Sequence, residues 1–192
     1  MQRFFFKPDL PQRTDGLRLI HLGCGDVRDP GFINVDMLAA PHVHYVHDVT
    51  DLSMFSDDFA DLVYACHVLE HIGKSRLRQT IWEWRRVLKP NGILRLSVPD
   101  FDKILTIYES SGRNIEVINR PLMGEKNEFN NHETVFNYSY LAGLLKDVGF
   151  GEVKQWDPDE VEHHDFEDWS SGRLNVGTKS FQVSLNVEAV KC

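Results

Sequence analysis

The chain has 192 residues, 42% of them hydrophobic and 26% charged, with a formal net charge of −8, a profile that suits one soluble domain, 1–192, with its own core. The acidic balance, with a pI of about 5.5, repels a phosphate backbone and argues against a nucleic-acid partner. No apolar run approaches the ~20 residues of a membrane span, MQRFFFKPDLPQR has too short an apolar stretch for a signal peptide, and three cysteines without framework spacing (Cys24, Cys66, Cys192) fit a reducing cytoplasm.

In chain order, LRLIHL at 17–22 is expected as strand 1, ended by Gly23. FINVD (32–36), VHYVHD (43–48) and ADLVYA (60–65) are expected as strands 2, 3 and 4. Leu77, Ile81, Trp84 and Leu88 recur at helical spacing and predict a helix over 75–88. Ser75 can cap its start, and Pro90-Asn91-Gly92 ends it. The same spacing makes Trp84 a core residue and leaves Trp82 partly exposed. ILRLSV (93–98) reads as strand 5. A second helix is expected over 137–150, capped by Asn137, with Leu141, Leu144, Leu145 and Val148 as its stripe and Gly149 at its end. EVKQW (152–156) and FQVSLNVEAV (181–190) complete seven strands. Strands alternating with helices imply an α/β fold with a mostly parallel sheet covered on both faces. The polar-apolar alternation of 181–190 suits an edge or antiparallel last strand.

In such sheets ligands bind beyond the carboxyl ends of the strands. Gly23-Cys24-Gly25 follows strand 1 and Asp36 closes strand 2. Glycines there let a ligand touch main chain, and a carboxylate at the next strand's tip can accept both hydroxyls of a ribose. A dinucleotide fingerprint wants a third glycine where this chain has Arg28, so a nucleoside without phosphates fits better.

LIHLGCGDVRDPGFINVDM, HDVTDL, FADLVYACHVLEHI, WRRVLKPNGILRLSVPD and YLAGLLKDVGF, in that order, resemble class I S-adenosylmethionine-dependent methyltransferases, above all small bacterial proteins of the methyltransferase-11 type. The resemblance covers about residues 17–156. It implies a Rossmann-like, doubly wound, seven-stranded sheet and S-adenosylmethionine as cofactor. It also implies that Gly23, Cys24 and Gly25 pass under the methionine part of the cofactor and that Asp36 takes the ribose hydroxyls. Met37 would pack on the adenine, Asp48 and Val49 would meet its edge, and Cys66 and His67 would lie near the sulfonium. Alone, Asp48 reads equally as the cap of a DVTD turn.

Two departures stand out. The link MLAAPH is too short for the crossover helix that a parallel pair usually needs, which leaves strands 2 and 3 open. The 16 residues before strand 1 leave little room for an N-terminal cover over the substrate. A cover is therefore expected from the long polar segments 111–136 and 157–179.

A sulfonium methyl needs mainly a nucleophile held in line, with a base only where the acceptor must lose a proton. ACHVLEH replaces the Asn-Pro-Pro-Tyr of nitrogen-directed relatives, so a different acceptor is expected, and by analogy alone a sugar or sugar-nucleotide hydroxyl. His132 is the candidate general base, against the reading of a loop histidine. His163, His164 and Asp165 read more simply as a solvated loop, and His71 as a helix-start histidine with a structural hydrogen bond. The methyltransferase reading assigns no metal ligand. Two alternatives remain: a cofactor-binding protein without catalysis, and a zinc hydrolase using the His67-x-x-Glu70-His71 spacing. The partner expected is a small-molecule substrate, and the oligomeric state is not encoded in any motif.

Overall fold

The computed structural model describes residues 8–125 and 130–192. Residues 126–129, part of the first expected cover, and the first seven residues lie outside the described set.

The described strands are β1 (Leu19–Leu22), β2 (Phe32–Asp36), β3 (Tyr45–Val46), β4 (Ala60–Cys66), β5 (Leu88–Pro99), β6 (Phe150–Gln155), β7 (Arg173–Val176), β8 (Lys179–Gln182) and β9 (Ser184–Lys191). Seven of them form one sheet in the order β3-β2-β1-β4-β5-β9-β6, while β7 and β8 pair as a separate hairpin. Pairing is parallel from β3 to β5, and β9 runs antiparallel to both β5 and β6. The expected Rossmann-like, mostly parallel seven-stranded sheet with an antiparallel last strand is thus present.

Strand alternation sends Ile20, Leu22, Ile33, Val35 and Val63 to one face and Leu19, Phe32, Leu62 and Tyr64 to the other. The first face receives α1 (Leu77–Val87) and, later in the chain, α4 (Tyr138–Asp147). Trp84 is fully buried there, and its indole N–H donates to the Val49 carbonyl at 2.7 Å, while Trp82 is 55% exposed. The second face is closed by the segment that follows β6. Trp156, His164 and Phe166 pack around Tyr64 there.

Between α1 and α4 the chain forms α2 (Phe101–Ser110) and α3 (Ile115–Met123). These pack with Val183 and the β7–β8 hairpin in a satellite cluster at the carboxyl end of β5. Segments 111–136 and 157–179, expected as a polar cover, carry α3, a 3-10 turn (Trp169–Ser171) and β7. Ile118, Leu122, Leu174 and Val176 give them enough apolar surface to fold against one another.

The link between β2 and β3 resolves the open point. β3 pairs parallel with only the last two residues of β2, Val35 with Tyr45 and Asp36 with Val46. The chain need not travel the length of the sheet, so no crossover helix is required. A turn at Val43 and the contact of His44 Nδ1 with the Asn34 N–H at 2.9 Å hold the link. The expected strand over 43–48 accordingly shrinks to two residues.

Local caps follow the sequence in part. Asn137 Oδ1 accepts from Tyr140 N at 3.0 Å and starts α4, and Gly149 takes a left-handed φ of 98° just past it. Ser75 does not cap α1, whose cap residue is Arg76 without a side-chain hydrogen bond. Leu77, Ile81 and Trp84 anchor that helix by burial instead. Pro90-Asn91-Gly92 forms a bulge within β5, with Ala60 paired to Leu88 and Leu62 to Ile93.

Candidate functional site

The carboxyl ends of β1, β2 and β4 meet at one sheet edge, and the glycine loop spans the first two. Gly23 follows β1 with φ 63°, and its N–H donates to the Val35 carbonyl at 2.8 Å. A Cβ on Gly23 would sit 2.4 Å from Val68 Cγ2, so this position takes no side chain. Gly25 also has positive φ, 52°, but a Cβ there would meet nothing within 4 Å. The loop thus presents bare main chain to open space at Gly25, a surface a ligand can approach closely.

Asp36 fixes the loop. Its Oδ2 accepts from Gly25 N at 2.9 Å and its Oδ1 from Leu38 N at 2.8 Å. Each carboxylate oxygen keeps a further acceptor direction. His42 Nε2 donates to the Gly25 carbonyl at 2.8 Å and closes the loop's other side. Met37 and Leu38 beside it are 54% and 57% exposed, an apolar shelf next to the acid. Cys24 is buried, and burial with the nearby Asp36 charge pushes its thiol up to about 12, so it stays protonated. Asp48 Oδ1 accepts from Thr50 N at 2.9 Å, so the turn reading of DVTD is correct for that oxygen. Val49 is buried, and its carbonyl is taken by Trp84.

Beyond β4 the chain turns sharply. His67 has φ 53°, and its main-chain N–H donates to Ser97 O at 2.8 Å. That turn aims the imidazole toward β9, where Nε2 meets Ser184 Oγ at 2.8 Å. Cys66 ends β4 next to it, and burial raises its thiol well above the ordinary value. All three cysteines are free.

A 3-10 turn, Leu69–His71, carries Glu70, which is 0% exposed. Residues 131–134 dock onto this turn. Glu133 N and Thr134 N donate to the Glu70 carbonyl at 2.8 and 3.1 Å, and Thr134 Oγ1 donates to Ile72 O at 3.0 Å. The docking brings His132 Nε2 to 4.0 Å from Glu70 Oε1 and its ring to 5.0 Å from that of His71. Burial lowers the pKa of His132 against the opposing pull of Glu70, which keeps the imidazole neutral near pH 7. Burial would raise the Glu70 carboxyl, but His67 and His71 outweigh it and hold it below its ordinary value. His71 Nδ1 bonds the Asn131 carbonyl at 3.1 Å, the structural hydrogen bond expected of it.

The zinc-peptidase spacing does not bring His67 and His71 together as a ligand pair. HVLEH sits on a strand-end turn and one 3-10 turn, and among the described residues the group within metal-ligand reach is Glu70, His71 and His132. His164, expected in a solvated loop, is buried instead. Its Nε2 lies 3.3 Å from Tyr64 Oη and 3.2 Å from Ser170 Oγ, beside Asp168 and between Trp156 and Phe166. The aromatic neighbours contributed by β4 and the end of β6 make this a packing site. His163 and Asp165 stay nearer solvent.

Two mouth residues carried no sequence signal. Trp169 is 51% exposed, its ring 6.1 Å from that of His67, and the Arg120 guanidinium lies 5.5 Å over it. A lone tryptophan in a polar segment has no periodicity to betray it. Only the folding-back of 157–172 puts it beside His67.

The methyltransferase domain family, type 11, matches residues 21–96, which run from β1 through β5. A search of curated proteins finds no match. Among solved structures, a SAM-dependent methyltransferase from Archaeoglobus fulgidus is similar with a TM-score of 0.60 and 17% identity, over 91% of this chain and 86% of that one. A possible histamine N-methyltransferase from Thermotoga maritima gives 0.58 and 15%, over 92% and 83%. The 1,6-didemethyltoxoflavin-N1-methyltransferase of Burkholderia thailandensis, solved with 1,6-didemethyltoxoflavin and S-adenosylhomocysteine bound, gives 0.57 and 16%, over 91% and 71%. At these identities the structural likeness establishes the fold. The domain match covers residues 21–96, and together with the shared fold it supports S-adenosylmethionine as the cofactor.

Proposed function

We propose that this chain transfers the methyl group of S-adenosylmethionine to a hydroxyl of a small acceptor, a sugar or sugar nucleotide. The observation that carries the proposal is the adjacency of two surfaces. The Gly25–Asp36 shelf opens on the same sheet edge as a mouth formed by His67, Trp169 and Arg120, and His132 docks on the turn that follows His67.

In this reading the main chain at Gly23, Cys24 and Gly25 lies under the methionine part of the cofactor. The two spare acceptor directions of Asp36 take the ribose diol. Met37 covers the adenine face, with Asp48 and Val49 at its edge, and Cys66 and His67 flank the sulfonium. An exposed indole is a platform for the apolar face of a sugar ring, and Arg120 beside it suits a phosphate on a nucleotide carrier. Segments 111–136 and 157–179 supply α3 and the Trp169 turn as the cover.

The chemistry asks little of the protein. The acceptor oxygen must lie in line with the methyl and the sulfur, with water excluded, an effective-concentration effect. His132, neutral because it is buried, takes the hydroxyl proton as the oxygen–carbon bond forms. S-adenosylmethionine bound there would supply the methyl group and leave as S-adenosylhomocysteine, the electron pair of the broken carbon–sulfur bond staying on sulfur. The buried Glu70 carboxylate, 4.0 Å away, then stabilises the imidazolium.

The test has two stages. A thermal melt with S-adenosylmethionine at ~100 times its dissociation constant should raise the midpoint by roughly 5–10 °C. Transfer of a labelled methyl is then measured against a panel of sugars, sugar nucleotides and small amines. Transfer confined to the amines overturns the acceptor proposal, and binding without any transfer makes the chain a cofactor-binding protein.

A further inference from the structure

Glu70 has a peculiarity that acid–base assistance does not require. Its side chain is 1% exposed, yet neither carboxylate oxygen has a hydrogen-bond partner among the described residues. His67 Nδ1 lies 3.2 Å from Oε1, close enough for an ion pair, and Oε2 has no partner on its side. A buried carboxylate with an unpartnered oxygen is costly, and such groups are normally fully paired or bound to a cation. The two imidazoles on its open side are already oriented. His71 uses Nδ1 on the Asn131 carbonyl, which leaves the Nε2 lone pair free. The His132 ring turns its Nε2 toward Glu70, 4.0 Å from Oε1. Histidines that ligate metals are held as His71 is, with the second ring nitrogen spent on a carbonyl.

We infer that Glu70, His71 and His132 form a binding site for one divalent first-row transition ion of the zinc type. The ligand atoms lie within 4.8 Å of one another. Zinc bonds of about 2.0–2.1 Å in a tetrahedron require separations of about 3.4 Å. The three groups must therefore close by about 1.4 Å or less, a rotamer adjustment for side chains of this length. Two nitrogens and one carboxylate are a borderline donor set that favours zinc, cobalt or iron over magnesium or calcium. Three protein ligands leave a fourth position for an exchangeable oxygen ligand. This site rests on the cluster alone and not on methyl transfer. An ion here uses the same Nε2 pair of His132 that would otherwise take a proton.

Tag-free protein stripped with a chelator is titrated with Co2+, followed by its visible ligand-field absorption, and then with Zn2+ by calorimetry. No S-adenosylmethionine is present, so the result is independent of the cofactor melt. The expected result is one ion per chain with a tetrahedral-type cobalt spectrum. Affinity should fall at least about tenfold in His71→Gln and in His132→Gln, and also in Glu70→Gln if circular dichroism shows that variant folded. Absence of a stoichiometric ion, or equal affinity in the unmodified chain and His132→Gln, overturns the inference and leaves Glu70 balanced by His67 alone.

Discussion

Asp36→Ala tests the shelf directly, and its effect follows from the hydrogen bonds the carboxylate already makes. Two of its acceptor directions are spent on Gly25 N and Leu38 N, at 2.9 and 2.8 Å. About two remain, enough for the two hydroxyls of one ribose. Hydrogen bonds to a charged group contribute about 1.5–3 kcal/mol each before water competes for the same sites. A loss of about 3 kcal/mol for the pair corresponds to roughly a hundredfold weaker binding of S-adenosylhomocysteine. At ~100 times the dissociation constant of the unmodified protein, linkage falls from about 2.7 to about 0.4 kcal/mol, and the melting shift from roughly 5–10 °C to about 1–2 °C. The substitution also frees two main-chain donors, so the loop itself loosens. A ligand lacking the 2′-hydroxyl separates the two effects. It should bind the unmodified protein about tenfold more weakly than the full ligand, whereas Asp36→Ala should no longer distinguish the two. Equal discrimination by both proteins would refute the ribose contact, whatever the absolute affinities.

Other outcomes follow from the core. Burial pushes His21, packed among Phe32, Tyr64 and Phe166, down to about 4 from 6.5. Between these values the unfolded chain takes up a proton the native state refuses, so stability falls as pH drops from about 6.5 to about 4, by about 3 kcal/mol. Denaturant titrations should show this slope, and His21→Phe should flatten it. Arg95 and Glu188 form a buried pair at 2.7 Å. Glu188→Gln should cost about 3–5 kcal/mol by urea unfolding, and Arg95→Met with Glu188→Leu should recover most of that. Gly23→Ala meets Val68 Cγ2 at 2.4 Å with φ at 63°, so it should destabilise by about 2 kcal/mol or more. Adding Val68→Ala should relieve only the clash, which a melt of the double variant measures.

The alternation of strands and helices, α1, α4 and the glycine-acid shelf were legible in the sequence because each is written locally. A stripe such as Leu77, Ile81 and Trp84 has one helical reading, and Gly23, Gly25 and Asp36 flank two adjacent strands whose ends any parallel pairing brings together. His132 became a candidate from its place before the 137–150 helix and from a family resemblance, and the residues it meets were not readable at all. Residues 131–134 meet the Glu70 turn through main-chain hydrogen bonds between positions more than sixty apart, and no spacing rule connects them. The same holds for His164, polar by its neighbours in sequence yet buried against Tyr64, and for Trp169 beside His67. Local pattern marked α1, α4 and the strands of the main sheet, since periodicity and turn chemistry act over a few residues, but not α2, α3 or the β7–β8 hairpin. Which histidine faces which carboxylate was decided by how the long connections fold back over the sheet edge, through contacts that exist only once the core has closed.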